Sequence, residues 1–169
     1  MANRVDYEEG HWFAVPLRTS GYAPGIIVRG GPRFKGGLGY FFAVRSDQPP
    51  NGLDIAHLTA DQAIFITWFG DRGIIEGRWP LILTDRPFTR EEWPVPRFGR
   101  VDLCDPEWGR ITEYSQEENG RDLHIAETRV PVTDIAGLPE EGTASAGYVE
   151  VKLAILIDAL EQSKEKDLE

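Results

Sequence analysis

The sequence predicts an α+β fold in which strands dominate. Short runs of aromatic and β-branched residues at 12–17 and 22–28 flank a polar break, which is a hairpin pattern. Glycines at 25, 36, 37, 39 and 99 lie where a sheet must curl. Residues 146–164 have helical periodicity instead. We therefore expect a strongly bent, mainly antiparallel sheet or partial barrel of about seven to nine strands, with a C-terminal amphipathic helix packed across it.

The strands are predicted in order along the chain. Residues 38–44 extend the first hairpin into a meander, and residues 61–69 are apolar enough for a strand buried on both faces. Further strands are expected at 79–84, 100–104, 110–115 and 121–128, with a hairpin tip at 116–120. The proline-rich stretch 85–99 prevents a continuous helix or central strand. We expect it to form an ordered excursion pinned by Phe88, Trp93 and Phe98.

The predicted C-terminal helix has one apolar and one polar stripe. Its apolar residues are Val149, Leu153, Leu156, Ile157 and Leu160, and its opposite stripe holds Glu150, Ala154, Asp158, Glu161 and Glu165. A helix of this kind buries its apolar stripe, so Leu153 and Leu156 should lie in the core and Glu150 should face solvent.

The length of 169 residues suits one domain spanning 1–169, with frayed ends at about 1–6 and 165–169. The apolar runs are far shorter than the ~20 residues that cross a bilayer, and the first residues lack an apolar signal segment. The single cysteine, Cys104, excludes an internal disulfide. We expect a cytoplasmic protein that does not enter a membrane.

The net charge of −10 is confined to the second half of the chain. Residues 1–80 hold 8 Lys/Arg and 8 Asp/Glu, whereas residues 81–169 hold 10 Lys/Arg and 20 Asp/Glu. Nucleic-acid binding depends on basic side chains that neutralise phosphates, so the sequence argues against a DNA or RNA partner. An acidic surface favours a basic partner, although it also serves solubility alone.

The sequence has no recognisable catalytic pattern. His11, His57 and His124 are scattered without metal-ligand spacing, and Cys104 lies between acidic residues, which is not the environment of a nucleophilic thiol. The glycine-rich stretch 30–39 leads into a strand, which does not fit a phosphate loop. We therefore predict no catalytic residue, no cofactor and no metal ion.

Acidic and aromatic residues in predicted loops are the candidate partner contacts. Carboxylates there can attract a basic partner, and an exposed tryptophan beside them can anchor it. The candidates are Glu91, Glu92, Trp93, Glu107, Trp108, Glu117 and Glu118.

Six short stretches rich in glycine, aromatic residues and proline follow one another along the chain. They are G-H-W-F-A-V-P-L (10–17), G-Y-A-P-G-I-I-V (21–28), G-Y-F-F (39–42), G-R-W-P-L-I-L (77–83), W-P-V-P-R-F (93–98) and A-G-Y-V-E-V-K-L (146–153). In this order and spacing, the series resembles the immunity protein 26 family of bacterial polymorphic toxin systems. The resemblance runs from about residue 7 to 160 and implies a non-catalytic cytoplasmic antidote that binds and silences a toxin domain. Many such toxins are basic nucleases, which is compatible with the acidic second half.

Two other classes remain open from the residues alone. A small hydrolase would require distant carboxylates and a histidine to converge in a cleft with perturbed pKa values. A small cytoplasmic β-barrel could instead act as a peptide-binding interaction module. An antidote would present an open acidic face.

Overall fold

The computed structural model describes residues 5–117 and 124–168. Within them the strands are β1 (Trp12–Pro16), β2 (Tyr22–Gly31), β3 (Gly36–Phe42), β4 (Ala63–Gly70), β5 (Leu81–Ile82), β6 (Phe98–Val101), β7 (Trp108–Tyr114), β8 (His124–Pro131) and β9 (Thr143–Ala144). The α-helices are α1 (Gly52–Ile55), α2 (Arg72–Ile75) and α3 (Ala146–Lys166). The α+β class, the dominance of strands and the C-terminal helix are confirmed.

The strands form two sheets rather than one bent sheet. The larger sheet has the order β5-β1-β2-β3-β4-β9 and the smaller one β6-β7-β8, and neither closes into a barrel within the described residues. All pairings are antiparallel except that of β4 with β9. The mainly antiparallel pairing is as predicted. The division into two sheets was not predicted, because no local pattern in the sequence shows where one group of paired strands ends and the next begins.

The six-stranded sheet is buried on both faces. Successive residues of a strand point to opposite faces, and in β1 both sets are apolar. Phe13 and Val15 pack on one face, and Trp12 and Ala14 on the other. The sheet is therefore the middle layer of the molecule, with α3 on one side and the smaller sheet on the other.

The α3 side of the sheet is a cluster of aromatic rings. The ring of Phe13 stacks on Trp79 with centroids 5.5 Å apart and meets Phe41 edge-on at 5.8 Å. A Cβ on Gly25 would lie 2.7 Å from the Phe13 ring, and one on Gly39 would lie 2.8 Å from the Phe41 ring. These two glycines therefore make room for the rings.

Helix α3 covers this cluster with Val149, Leu153, Ala154 and Ile157. The helix is two residues longer than predicted, since it ends at Lys166. Ser145 caps its N-terminus by accepting a hydrogen bond from the backbone N–H of Tyr148, 3.2 Å away.

Four residues of α3 differ from the prediction. In the apolar stripe Leu156 is only half-buried and Leu160 is exposed, whereas Glu150 and Ala154 of the opposite stripe are buried. The Glu150 carboxylate accepts hydrogen bonds from Trp79 Nε1 at 2.9 Å and Arg78 Nη1 at 2.5 Å, and its other oxygen lies 3.2 Å from Arg18 Nε. A buried carboxylate needs such partners, and all three come from distant parts of the chain that helical periodicity does not reveal.

The opposite side of the sheet is covered by the proline-rich excursion, α1 and the smaller sheet. Trp68 of β4 packs against Tyr114 of β7 and Phe98 of β6, with ring centroids 5.2 and 6.3 Å apart. Residues 139–144 join the two sheets, because the N–H of Gly99 donates to Pro139 O at 2.8 Å while β9 pairs with β4. The smaller sheet is thus held against the larger one.

We predict that Leu153→Ala lowers the free energy of unfolding by about 2–5 kcal/mol, because it removes a buried side chain between α3 and the sheet. Chemical denaturation measures the change. Leu160→Ala is the matched control on the same helix, and it should cost clearly less because Leu160 is exposed. Equal losses for the two variants would show that α3 does not cover the sheet as described.

Candidate functional site

Trp93 is a core residue and not an exposed anchor. Only 1% of its surface is exposed, and its ring meets Trp12 and Tyr40 edge-on with centroids 5.7 and 5.5 Å apart. The Arg86 guanidinium lies over the same ring at 5.6 Å. The expectation that Trp93 contacts a partner is corrected, because no partner reaches it without opening this core. Its predicted role in pinning the excursion is confirmed.

A buried arginine ties the excursion to both sheets. The register of β2 shifts between Ile27 and Arg29, a bulge that re-aims the Arg29 side chain toward the excursion. Its Nη1 donates to Trp93 O and its Nε donates to Gln116 O, each at 3.1 Å. Burial lowers the pKa of the Arg29 guanidinium, and the nearby Glu9 carboxylate opposes that change.

The end of β7 is fastened to the excursion a second time. Gln116 accepts from Val95 N and donates through Nε2 to Val95 O, both at 2.8 Å. Arg90 binds the two Glu9 oxygens at 2.6 and 2.9 Å and also donates to the backbone carbonyl of Glu117. The loops that carry the acidic candidates are therefore held by specific contacts.

These contacts bring three of the candidates into neighbouring loops. Glu91 and Glu92 lie in the short 3-10 turn Arg90–Glu92, and Glu117 lies where Arg90 meets its carbonyl. All three side chains are exposed. Glu118 lies outside the described residues.

Glu107 and Trp108 form a second group at the other end of β7. This seven-residue strand separates them from the first group by about 20 Å. Glu107 is exposed, whereas Trp108 is half-buried and begins β7 instead of lying in a loop. The Arg129 guanidinium lies over the Trp108 ring, with its carbon 4.5 Å from the ring centroid. Arg129 Nη2 also lies 2.7 Å from Asp105 Oδ2. The candidates therefore occupy two places, one near each end of β7.

The strand register places three arginines side by side between these groups. Arg100, Arg110 and Arg129 are directly opposite one another across β6, β7 and β8. Positive charges on directly opposite residues repel one another. Nearby carboxylates offset the charges of two of the three arginines. Glu127 binds Arg110 at 2.5 Å and thereby raises the pKa of that guanidinium, and Asp105 binds Arg129. The smaller sheet is therefore acidic at its ends and mixed in charge at its centre.

Three exposed leucines were not predicted as contacts. Leu103 is 88% exposed and lies between β6 and β7, because the strand predicted at 100–104 ends at Val101. Leu53 and Leu83, 84% and 89% exposed, line one cleft of about 620 Å³ beside α1. The flanking Asp102 and Asp105 are the signal that could have identified a turn at Leu103.

The residues considered for chemistry lie apart. His11 is half-exposed beside Glu8, His57 is exposed, and so is Cys104. Among the described residues, no group of three or more His, Cys, Asp or Glu side chains could hold a metal ion. In the same part of the chain, every helix is too short or too polar to cross a bilayer.

Comparison with known proteins identifies the family. The family model described as immunity protein 26 matches residues 8–110, which is more than half of the 169 residues. The chain therefore belongs to the immunity protein 26 family. Membership implies an immunity protein with a toxin as its partner, and it confirms the resemblance seen in the sequence. No curated protein and no solved structure matches the chain.

The matched part holds the larger sheet from β1 to β5, the excursion, β6 and the start of β7. It therefore includes Glu91, Glu92, Glu107 and Trp108, whereas Glu117 lies beyond it. The last stretch of the resemblance, residues 146–153 on α3, also lies beyond it.

Tyr40 makes the packing around Trp93 sensitive to alkaline pH. Burial raises the pKa of its phenol from 10.0 to about 12, and the hydroxyl donates to Pro94 O. The unfolded chain therefore loses this proton first, so we predict that stability falls as pH rises from about 10 to 12, by up to about 1.4 kcal/mol per pH unit. Denaturant titration at each pH measures it. Tyr40→Phe should show a shallower fall, and an equal fall in both proteins would contradict this origin.

Proposed function

We propose that this immunity protein silences a basic toxin domain, a nuclease, by covering its active surface with acidic side chains between Asp85 and Glu141. That segment holds 14 Asp/Glu against 7 Lys/Arg, so most of the excess negative charge lies in about a third of the chain. A nuclease binds phosphates through basic residues, and an acidic protein surface competes for the same residues. We also propose that this happens in the cytoplasm, within a toxin–antitoxin system.

The observation that carries the proposal is a set of exposed carboxylates that form no salt bridge with the described residues. Among the described residues, no Lys, Arg or His nitrogen lies within 4.0 Å of the carboxylates of Glu91, Glu92, Glu107 or Glu117. Glu127 and Asp105 in the same segment do have such partners. The four carboxylates are therefore available to a partner.

The structure around these carboxylates supports fast and selective binding. The loops of Glu91, Glu92 and Glu117 are fastened through Arg90, Arg29 and Gln116, so little conformational freedom is lost when a partner binds. Charge of one sign on a fixed surface attracts a basic partner from a distance and raises the association rate.

We predict that the triple variant Glu91→Lys, Glu92→Lys and Glu107→Lys associates with the toxin about tenfold more slowly than the parent and depends less on salt. Stopped-flow binding over a range of ionic strength measures both quantities. The toxin used is a toxin domain whose activity the parent protein suppresses when the two are co-expressed.

A triple reversal at Asp47, Glu165 and Asp167 is the matched control. These residues are exposed and, among the described residues, form no salt bridge, and the change in net charge is the same. The control should lose far less of the association rate. An association rate in the first variant as high as in the parent would refute the proposed face.

A further inference from the structure

We infer that two copies of this protein associate through the outer edge of β8, which pairs antiparallel with β8 of the second copy. The pairing joins two three-stranded sheets into one continuous sheet, with Thr128 at the two-fold axis. The inference is independent of the proposed function, because β8 carries none of the candidate toxin contacts. The strand also lies beyond residues 8–110, which the family model matches.

The outer edge of β8 is the long strand edge that the described residues leave uncovered. The larger sheet ends in β5 and β9, which have two residues each. In the smaller sheet, the edge of the four-residue β6 is bridged by residues 139–141. β8 has eight residues and, in the described part of the chain, is paired on its β7 side only. An edge of this length is a template for another strand.

Alternate residues of β8 point their backbone groups toward this outer edge. Val132, directly after β8, donates from its N–H to Glu107 O at 2.9 Å, and the register is regular from 126 to 131. In an antiparallel ladder every second residue bonds to the neighbouring strand, and the residues between point away from it. The N–H and C=O groups of Glu127 and Arg129 therefore point away from β7.

The side chains along the edge are accessible. Glu127, Thr128 and Arg129 are exposed, and Ile125 is 68% exposed. Charged side chains on an edge strand also serve to prevent pairing, so charge alone does not identify a partner. The order of the charges is more informative, because Glu127 and Arg129 are opposite in sign and lie two residues apart.

Charge complementarity selects a second copy as the occupant and fixes one register. A two-fold axis at Thr128 puts Glu127 of each copy directly opposite Arg129 of the other, where opposite charges attract. An axis at Glu127 would oppose two glutamates, and an axis at Arg129 would oppose two arginines, so both of these registers are unfavourable. In the favourable register each outward N–H also meets an outward C=O of the second copy.

The second copy also offsets the positive row of the smaller sheet. Arg100, Arg110 and Arg129 are directly opposite one another, and the row ends at the outer edge of β8. Pairing places Glu127 of the second copy next to Arg129, at the end of this row. A guanidinium has more N–H donors than one carboxylate uses, so Arg129 keeps its contact with Asp105, and Glu127 keeps Arg110.

The interface is small, so the dimer is weak. Protein interfaces that bury less than about 1,200 Å² in total belong to transient complexes. One strand edge from each copy falls in that class, and we expect a dissociation constant of about 10–100 μM. Sedimentation equilibrium between about 5 and 500 μM therefore covers the transition from monomer to dimer.

Two single variants test the register. Glu127→Arg puts arginine opposite arginine across the axis, and Arg129→Glu puts glutamate opposite glutamate. Each variant should associate with itself at least about tenfold more weakly than the parent, because like charges then meet at both pairs. Self-association of both variants as tight as that of the parent would overturn the inference.

Mixing the two variants separates a lost charge pair from a damaged fold. One copy then has arginine at both positions and the other has glutamate at both, so each pair across the axis is again of opposite charge. The mixture should form a heterodimer at least as tight as the parent dimer, which damaged proteins would not do. A mixture that stays monomeric while the parent dimerises would refute the pairing.

A variant on α3 tests the other exposed surface on which two copies could meet. Ile155 is 58% exposed on that helix, and Ile155→Asp should leave the dimer intact. Loss of the dimer in Ile155→Asp, with Glu127→Arg unaffected, would place the interface on α3 and overturn the inference. A parent protein that remains monomeric up to about 500 μM would refute it as well, and would show that the charges of β8 keep its edge unpaired.

Discussion

The positions of the acidic loops depend on one buried guanidinium, that of Arg29. Arg29 donates to Trp93 O and Gln116 O, and thereby joins the central sheet to the proline-rich excursion and to the end of β7. A buried cation without such acceptors would be strongly unfavourable, so the three segments must meet for the fold to form. Trp93 and Val95, at the same junction, complete the core on that side of the sheet.

This junction explains how a surface without a catalytic pattern can still be specific. Functional residues are commonly placed on loops that a rigid scaffold positions. Here the scaffold is a sheet buried on both faces, and the excursion with Glu91 and Glu92 lies on the side opposite α3. Helix α3 covers one face of the sheet, and under the proposed function the acidic loops on the other side carry the contacts with the toxin.

The sequence predicts local elements well because their patterns are local. The hairpin of β1 and β2 and the 3.6-residue period of α3 follow directly from residue order. Sequence patterns do not predict the contacts between segments that are far apart in the chain. Trp93, placed next to Glu92, has the pattern of an exposed anchor, yet Trp12 and Tyr40 bury it. The arginines at 100, 110 and 129 become neighbours only through strand register.

The central claim is that the smaller sheet, and not α3, faces the toxin. Amide hydrogen exchange of the free protein and of its complex with the toxin tests this claim over the whole chain at once. Exchange should slow on binding in the segments that carry Glu91, Glu92, Glu107 and Glu117, and stay unchanged along α3. Slowing confined to α3, where Tyr148, Val151 and Ile155 form an exposed apolar stripe, would contradict the account.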